Sequence, residues 1–198
     1  MGHREALLEG ARRCLEDKGY ARTTARDIVA ASGTNLASIG YHFGSKESLL
    51  NEAIGQAFEE WTERVTQVAF AEPGASPLEQ MQASWTAMTD SFEGHRAIMV
   101  AFTEALAQAE RSPELREELA ALYRDCRERI AATIRRSLGD DAELAGSAPD
   151  AIASFSMAVC DGLAIQYLLD PEHTPSGGEL AAALGGALAY SPRERPLA

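Results

Sequence analysis

Apolar residues recur at steps of three and four along almost the whole chain. Leu50, Ile54, Phe58, Trp61, Val65 and Val68 form one series. Leu78, Met81, Trp85, Met88 and Phe92 form a second, and Leu115, Leu119, Leu122, Cys126, Ile130, Ile134 and Leu138 a third. Such spacing gives each α-helix one apolar stripe opposite a polar face. No sustained period of two and no Asn-Gly hairpin signal occurs, which argues against a sheet. The expected fold class is all-α.

Helix ends are marked as clearly as helix faces. Thr24-x-x-Asp27, Ser76-Pro77-x-Glu79, Ser147-x-x-Asp150 and Ser176-x-x-Glu179 each set an acid three residues after a capping hydroxyl. That pairing satisfies N–H groups with no partner inside the helix and suits the positive end of its dipole. Ser112-Pro113 adds a cap followed by proline, and stops fall at Gly19, Gly33, Gly74, Gly139 and Pro171. About nine helices result: three short ones within residues 3–43, then longer ones over 46–70, 77–92, 95–110, 113–138, 148–169 and 177–190.

The three short helices have a distinct design. The first buries Leu7, Leu8, Ala11, Cys14 and Leu15, and the second, capped by Thr24, buries Ala25, Ile28 and Val29. Gly33 permits a sharp turn, and Asn35 caps a third helix, "LASIGYHF". Short helix, glycine turn, short helix is a helix-turn-helix, here over about 24–43. Leu36, Ile39 and Phe43 are expected to face inward, leaving Ala37, Ser38, Gly40, Tyr41 and His42 on the opposite face. Small residues let the helix approach base edges, while Ser38, Tyr41 and His42 can donate hydrogen bonds. Lys46 at the start of the next helix, and Thr24 at the start of the second, offer seats for phosphates.

Charge indicates which end would meet a polyanion. The 198 residues carry a formal charge of -12. Residues 1–50 hold seven Lys/Arg against six Asp/Glu, so the remainder carries -13. The acidic body would be repelled by DNA and the near-neutral head would not. At 45% hydrophobic and 24% charged, the composition is that of a globular protein. Cys14, Cys126 and Cys160 each fall on an apolar stripe, as reduced core thiols would. The N-terminus lacks the apolar centre of a signal peptide. No apolar run is expected to reach the ~20 residues needed to cross a bilayer. A soluble, cytoplasmic protein that makes no membrane contact is the expectation.

The stretch "GYARTTARDIVAASGTNLASIGYHFGSKESLL" resembles the DNA-binding domain of the TetR family of bacterial transcriptional regulators. "TTARDIVAASG" and "YHFGSKESLL" match the family's pattern at the correct spacing over some thirty residues. Where members often carry a second aromatic or polar residue, this chain has Gly40. The resemblance implies a dimeric, usually repressing, ligand-controlled DNA binder. It assigns DNA contacts to Thr24, Ser38, Tyr41, His42 and Lys46, with Asn35, Ala37 and Gly40 on the same surface. It also implies a DNA-binding domain over residues 1–50, followed by a helical ligand-binding and dimerisation domain over 51–198.

The second domain is expected to pair with its copy. Residues 148–169 are apolar nearly all round, including Ile152, Phe155, Val159, Leu163, Ile165, Tyr167, Leu168 and Leu169. Such a helix needs cover on more than one side. Leu180, Leu184 and Leu188 recur at steps of four on the last helix, so two helices from each of two subunits could form a four-helix interface. Trp85, Met88, Met99, Phe102, Tyr123, Phe155 and Met157 could line a cavity for a small-molecule effector, with Thr103, Tyr123 or Gln166 as polar handles. Ordinary core packing accounts for the same residues.

Catalysis finds no support: Gly-rich phosphate loop, Cys-x-x-Cys, His-Glu-x-x-His and Gly-x-Ser-x-Gly motifs are all missing. His95 and His173 are expected in loops, neither preceded by Glu three residues before. No catalytic residue, metal site or cofactor is expected. Two functions stay open. One is a ligand-responsive regulator, a repressor on a palindromic operator in double-stranded DNA. The other is a helical small-molecule-binding protein or enzyme whose N-terminal domain no longer reads DNA.

Overall fold

A computed structural model describes residues 2–72, 74–138 and 148–189. Among these residues there are eight α-helices and no strand: α1 (His3–Lys18), α2 (Ala25–Ser32), α3 (Leu36–Phe43), α4 (Lys46–Ala69), α5 (Pro77–Ala109), α6 (Pro113–Leu138), α7 (Ala148–Leu169) and α8 (Gly177–Ala189). The Gly139 stop, the cap at Ser147 and the tail at 190–198 lie outside the described residues.

Helices α1, α2 and α3 close over the beginning of α4. Leu7, Ala11, Leu15, Ile28, Leu49, Leu50 and Ile54 are fully buried in one core. Two glycines make this head possible. At Gly10 a Cβ would come within 2.8 Å of the Ser32 Cβ, so only glycine lets α1 and α2 cross this closely. Gly33 adopts φ +66° and ends α2 in a left-handed turn that costs other residues free energy.

The head is not separate from the body. Helix α4 runs through the boundary expected at residue 50 without a break, for about 36 Å. It takes Leu49 and Leu50 into the head's core and Trp61 into a second core with Phe92, Met99 and Leu163. Ile98, Ala105, Leu115 and Leu119 from α5 and α6 join the head's own core.

The helices expected over 77–92 and 95–110 are one helix, α5, so eight helices replace nine. Gly94 costs a helix only about 1 kcal/mol relative to Ala. Phe92 before it and Ile98 and Met99 after it are all buried, which holds the register across it. His95 therefore lies within a helix rather than a loop. Its ring stacks on Trp61 at 4.7 Å and 8°.

Helix α7 departs from expectation in another way. Residues Pro149–Leu169 are long and apolar enough to cross a membrane by length and composition, with a mean hydropathy of 1.5. Only 17% of that stretch is buried within the chain. Phe155, Ile165 and Leu169 are exposed, the last by 82%. All three cysteines are free thiols, and burial pushes the Cys14, Cys126 and Cys160 pKa values upward.

Candidate nucleic-acid interface and internal cavity

Helix α3 is fixed at both ends by local chemistry. The Asn35 side-chain oxygen accepts from the Ser38 N–H at 3.0 Å, and Gly44 at φ +78° closes the helix. Ile39 is buried, and Phe43 packs inward beneath the Arg4 guanidinium, 5.3 Å from the ring centroid. Facing out are Ala37, Gly40 and Tyr41, the last 86% exposed. The half-buried His42 meets the Tyr41 ring edge-on at 4.8 Å. A Cβ placed on Gly40 would touch nothing within 4 Å, so the head's own packing does not require glycine there.

Two residues of α3 lie differently from the sequence expectation. Ser38 is only 9% exposed rather than outward-facing; its hydroxyl bonds the Asn35 side chain at 3.3 Å and His3 Nδ1 at 3.2 Å. At the third helical position it completes the cap and ties α3 to the start of α1. Leu36 is 52% exposed instead of inward. Eight residues make about two turns, and Ile39 and Phe43 already fill the turn that packs.

The two expected phosphate seats are both engaged. Thr24 and Asp27 cap each other: the Asp27 carboxylate accepts from the Thr24 N–H at 2.9 Å and its hydroxyl at 2.6 Å. Lys18 Nζ donates to the same carboxylate at 2.5 Å. These donors, Lys18 first, hold the Asp27 carboxyl far below the ordinary range. Lys46 Nζ donates to the Thr23 carbonyl at 3.0 Å and lies 3.2 Å from Glu47. An ammonium has three donors, so this leaves one N–H for an incoming acceptor. Arg4, Arg12, Arg13 and Arg22 are likewise committed, to Glu52, Glu60, the Ala31 carbonyl and the Lys18 carbonyl. Arg26 is exposed and unpaired among the described residues. Sequence reasoning passed over it, although its place in the first turn of α2, close to Thr24, was a usable signal.

Polar links join the head to the helices behind it. The Tyr20 hydroxyl donates to Asn51 Oδ1 at 2.8 Å, and burial, then the Glu47 and Glu118 charges, push its pKa up to about 12. Asn51 in turn donates to the Glu118 carboxylate on α6. From α5, Glu104 accepts from the Ala21 N–H in the loop leading to α2.

Behind these links, α4, α5, α6 and α7 line a partly open cavity of about 270 Å³. Five of the residues expected there line it: Met88, Met99, Phe102, Tyr123 and Met157. Trp85 and Phe155 do not; their rings meet each other at 6.1 Å, away from the cavity. Gly177 of α8 seats against the Trp85 backbone, where an added Cβ would lie 2.1 Å from the carbonyl carbon. Contact with α8 thus occupies that stretch of α5. Of the three residues expected as polar handles, Thr103 and Tyr123 are in the lining and Gln166 is not. Phe58 and Trp61 of α4, with Cys126, Cys160 and Asp161, complete the wall and were not anticipated. Phe102 stands between Phe58, at 4.6 Å, and Tyr123, at 5.9 Å. Desolvation raises the Asp161 pKa, while its hydrogen bond from the Tyr123 hydroxyl opposes the rise. Desolvation, then the Asp161 charge, raises Tyr123 in turn. No group of three or more His, Cys, Asp and Glu placed to hold a metal occurs among the described residues.

Comparison with known proteins gives both halves of the chain a context. Residues 7–53 match the family model described as bacterial regulatory proteins, tetR family. Residues 77–189 match the one described as BetI-type transcriptional repressor, C-terminal. The chain is 29% identical to the regulator BetI of Rhizobium meliloti over 167 residues, 84% of this chain and 78% of that protein. It is 31% identical to the repressor KstR2 of Mycobacterium tuberculosis over 102 residues, 51% of this chain and 50% of the relative. The match thus spans about half the length of that curated relative. The crystal structure of the multidrug binding protein EbrR complexed with imidazole superposes with a TM-score of 0.68 at 26% identity, covering 98% of this chain and 99% of that one.

Proposed function

The chain belongs to the TetR family of bacterial regulatory proteins, and on that footing we propose that it is a ligand-responsive transcriptional repressor. It binds a palindromic operator in double-stranded DNA as a homodimer, in the cytoplasm. Residues 1–50 read the DNA and residues 51–198 hold the effector and the partner subunit.

One observation carries this reading: Tyr41 stands almost wholly exposed on α3, flanked by Ala37 and Gly40. A short helix with small residues and one projecting aromatic hydroxyl fits a major groove. His42, Asn35 and the exposed Leu36 border that face. Arg26 and the remaining donor of Lys46 serve the flanking phosphates, while Thr24, whose N–H and hydroxyl both go to Asp27, caps the start of α2. Ser38 positions α3 rather than touching DNA.

The uncovered faces of α7 and α8 form the subunit interface, two helices from each chain. Pairing there sets two α3 helices in successive major grooves, separated by about one helical turn, ~34 Å. The effector occupies the cavity behind the head, a use supported by the small molecule in the related multidrug binding protein EbrR. Because α4 carries Leu49 in one core and Trp61 at the cavity, a ligand that favours one tilt of α4 changes the spacing of the two heads. Only a difference in ligand affinity between the two spacings can drive that change.

Fluorescence anisotropy with DNA from upstream of the protein's own gene tests the proposal. The expected result is specific binding that weakens steeply as salt rises. If specific and random duplexes bind equally, the repressor reading fails. A small-molecule-binding protein whose head no longer reads DNA would then be the better description.

A further inference from the structure

Helix α3 carries no side chain suited to reading a base through two hydrogen bonds. Leu36–Phe43, LASIGYHF, contains no Arg, Lys, Asn, Gln, Asp or Glu. Those are the side chains that recognise guanine, adenine and cytosine in a major groove. Asn35, at the cap, is exposed, but its side-chain oxygen already accepts from the Ser38 N–H and hydroxyl. A bidentate contact to adenine needs that oxygen together with the amide nitrogen. Ser38 itself is buried. What faces outward is Leu36, 52% exposed, with Ala37, Gly40 and Tyr41. These form two neighbouring columns at a spacing of four, Leu36 with Gly40 and Ala37 with Tyr41. Gly40 adds no side chain, and a Cβ there would meet nothing within 4 Å, so the surface is open along the Leu36 column.

From this face, and resting on the DNA-binding reading above, we infer that α3 recognises the C5-methyl group of thymine, with Leu36 as the residue that selects it and Ala37 beside it. Thymine alone among the four bases presents an apolar group in the major groove, and an apolar side chain is its complement. Leu36 stands outside the head's core although its spacing from Ile39 and Phe43 fits the inward stripe. Contact with the methyl removes apolar surface of both partners from water. Cytosine at the same place would set its amino group against Leu36, where no side chain accepts from it. Guanine would offer two acceptors to a helix surface that holds no cation. The Tyr41 hydroxyl adds one hydrogen bond, which orients the helix without defining a base by itself. Each half-site of the operator therefore holds a thymine, on one strand or the other, where Leu36 lies.

Duplexes that the full-length protein selects from a random-sequence pool define the half-site. Fluorescence anisotropy then compares the selected duplex with copies in which each thymine in turn is replaced by deoxyuridine. Uracil keeps every hydrogen-bonding group of thymine and lacks only the methyl. At one thymine in each half-site the wild-type protein should lose about fourfold in affinity, the worth of one buried carbon group. Leu36→Ala should bind the thymine duplex more weakly, and its ratio between thymine and deoxyuridine at that position should fall to about one. Both duplexes are titrated with one preparation, so a change in folding stability does not mimic the effect. Selected half-sites without thymine overturn the inference, as do deoxyuridine duplexes bound as tightly as their parents. In either case a preference over random DNA leaves the repressor reading standing. A Leu36→Ala protein that keeps the full fourfold penalty overturns the role given to Leu36. If no sequence is selected over random DNA, the inference and the repressor reading fall together.

Discussion

Glu104 on α5 accepts a hydrogen bond from the backbone N–H of Ala21 at 3.0 Å, joining the cavity wall to the loop that introduces α2. Phe102 and Thr103, just before it in α5, line the cavity. Gly19, at φ +78°, turns the chain beneath the carboxylate, and a Cβ there would lie 3.1 Å from it. Movement of α5 around a ligand therefore reaches the head by a route separate from α4. Glu104→Ala should speed amide hydrogen exchange at Ala21. It should also reduce the fall in DNA affinity that a bound ligand causes, by about 1 kcal/mol. Unchanged coupling in DNA titrations with and without ligand would mean that the Glu104–Ala21 bond carries none of it.

Tyr41 is exposed enough that its loss should not disturb the head. Tyr41→Ala should change stability by no more than about 0.5 kcal/mol and weaken operator binding by roughly 1–3 kcal/mol. Denaturant melts and anisotropy titrations of the same preparation separate the two effects. Full affinity in this variant would show that α3 is not the reading helix.

Gly40 gives a sharper test because folding and binding should respond in opposite directions. A methyl there meets nothing in the protein, and alanine favours helix by up to about 1 kcal/mol over glycine. Gly40→Ala should therefore raise the melting temperature. If DNA fills the open space, the same methyl should lower operator affinity. A variant both more stable and equally tight would mean that the backbone at Gly40 stays clear of the duplex.

The exposed apolar face of α7 should determine assembly. Ile165→Glu places a charge where two subunits are proposed to meet, and burying an unpaired charge is strongly unfavourable. Analytical ultracentrifugation should show a monomer, with operator affinity falling because only one head is presented per particle. A variant that remains dimeric would locate the interface elsewhere.

The Thr24–Asp27 cap should make the head acid-sensitive. The Asp27 carboxyl titrates well below its ordinary value because Lys18 and Thr24 donate to the ionised form. Its contribution is therefore complete above about pH 4, the ordinary carboxyl range. It is lost as pH falls through the depressed folded value. Asp27→Asn should lower stability at neutral pH and flatten its decline below pH ~4, as thermal melts across that range would reveal. An identical acid profile would mean that the cap contributes nothing to the head's stability.

The sequence alone determined where the capped helices begin, though not that α5 runs on past Gly94. The Thr24, Ser76 and Ser176 caps and the apolar stripes of α4 and α6 depend on residues three or four apart, and the structure reproduces them except at Val68, which ends the α4 stripe exposed. The head was legible for the same reason, since Asn35, Ile39, Phe43 and Ser45 act within two short turns of chain. Tertiary packing decided what lies on which side. Local spacing gives Trp85 and Met88 the same stripe of α5, yet one packs beside α8 and the other faces the cavity. Asp161 read as one acid among thirty acidic residues until the packing of α7 against α5 and α6 set it on the cavity wall. Ser38 read as outward until His3, 35 residues away, covered it. Caps and stripes are settled within a helical turn, whereas orientation depends on which distant helices arrive, and no local pattern carries that information.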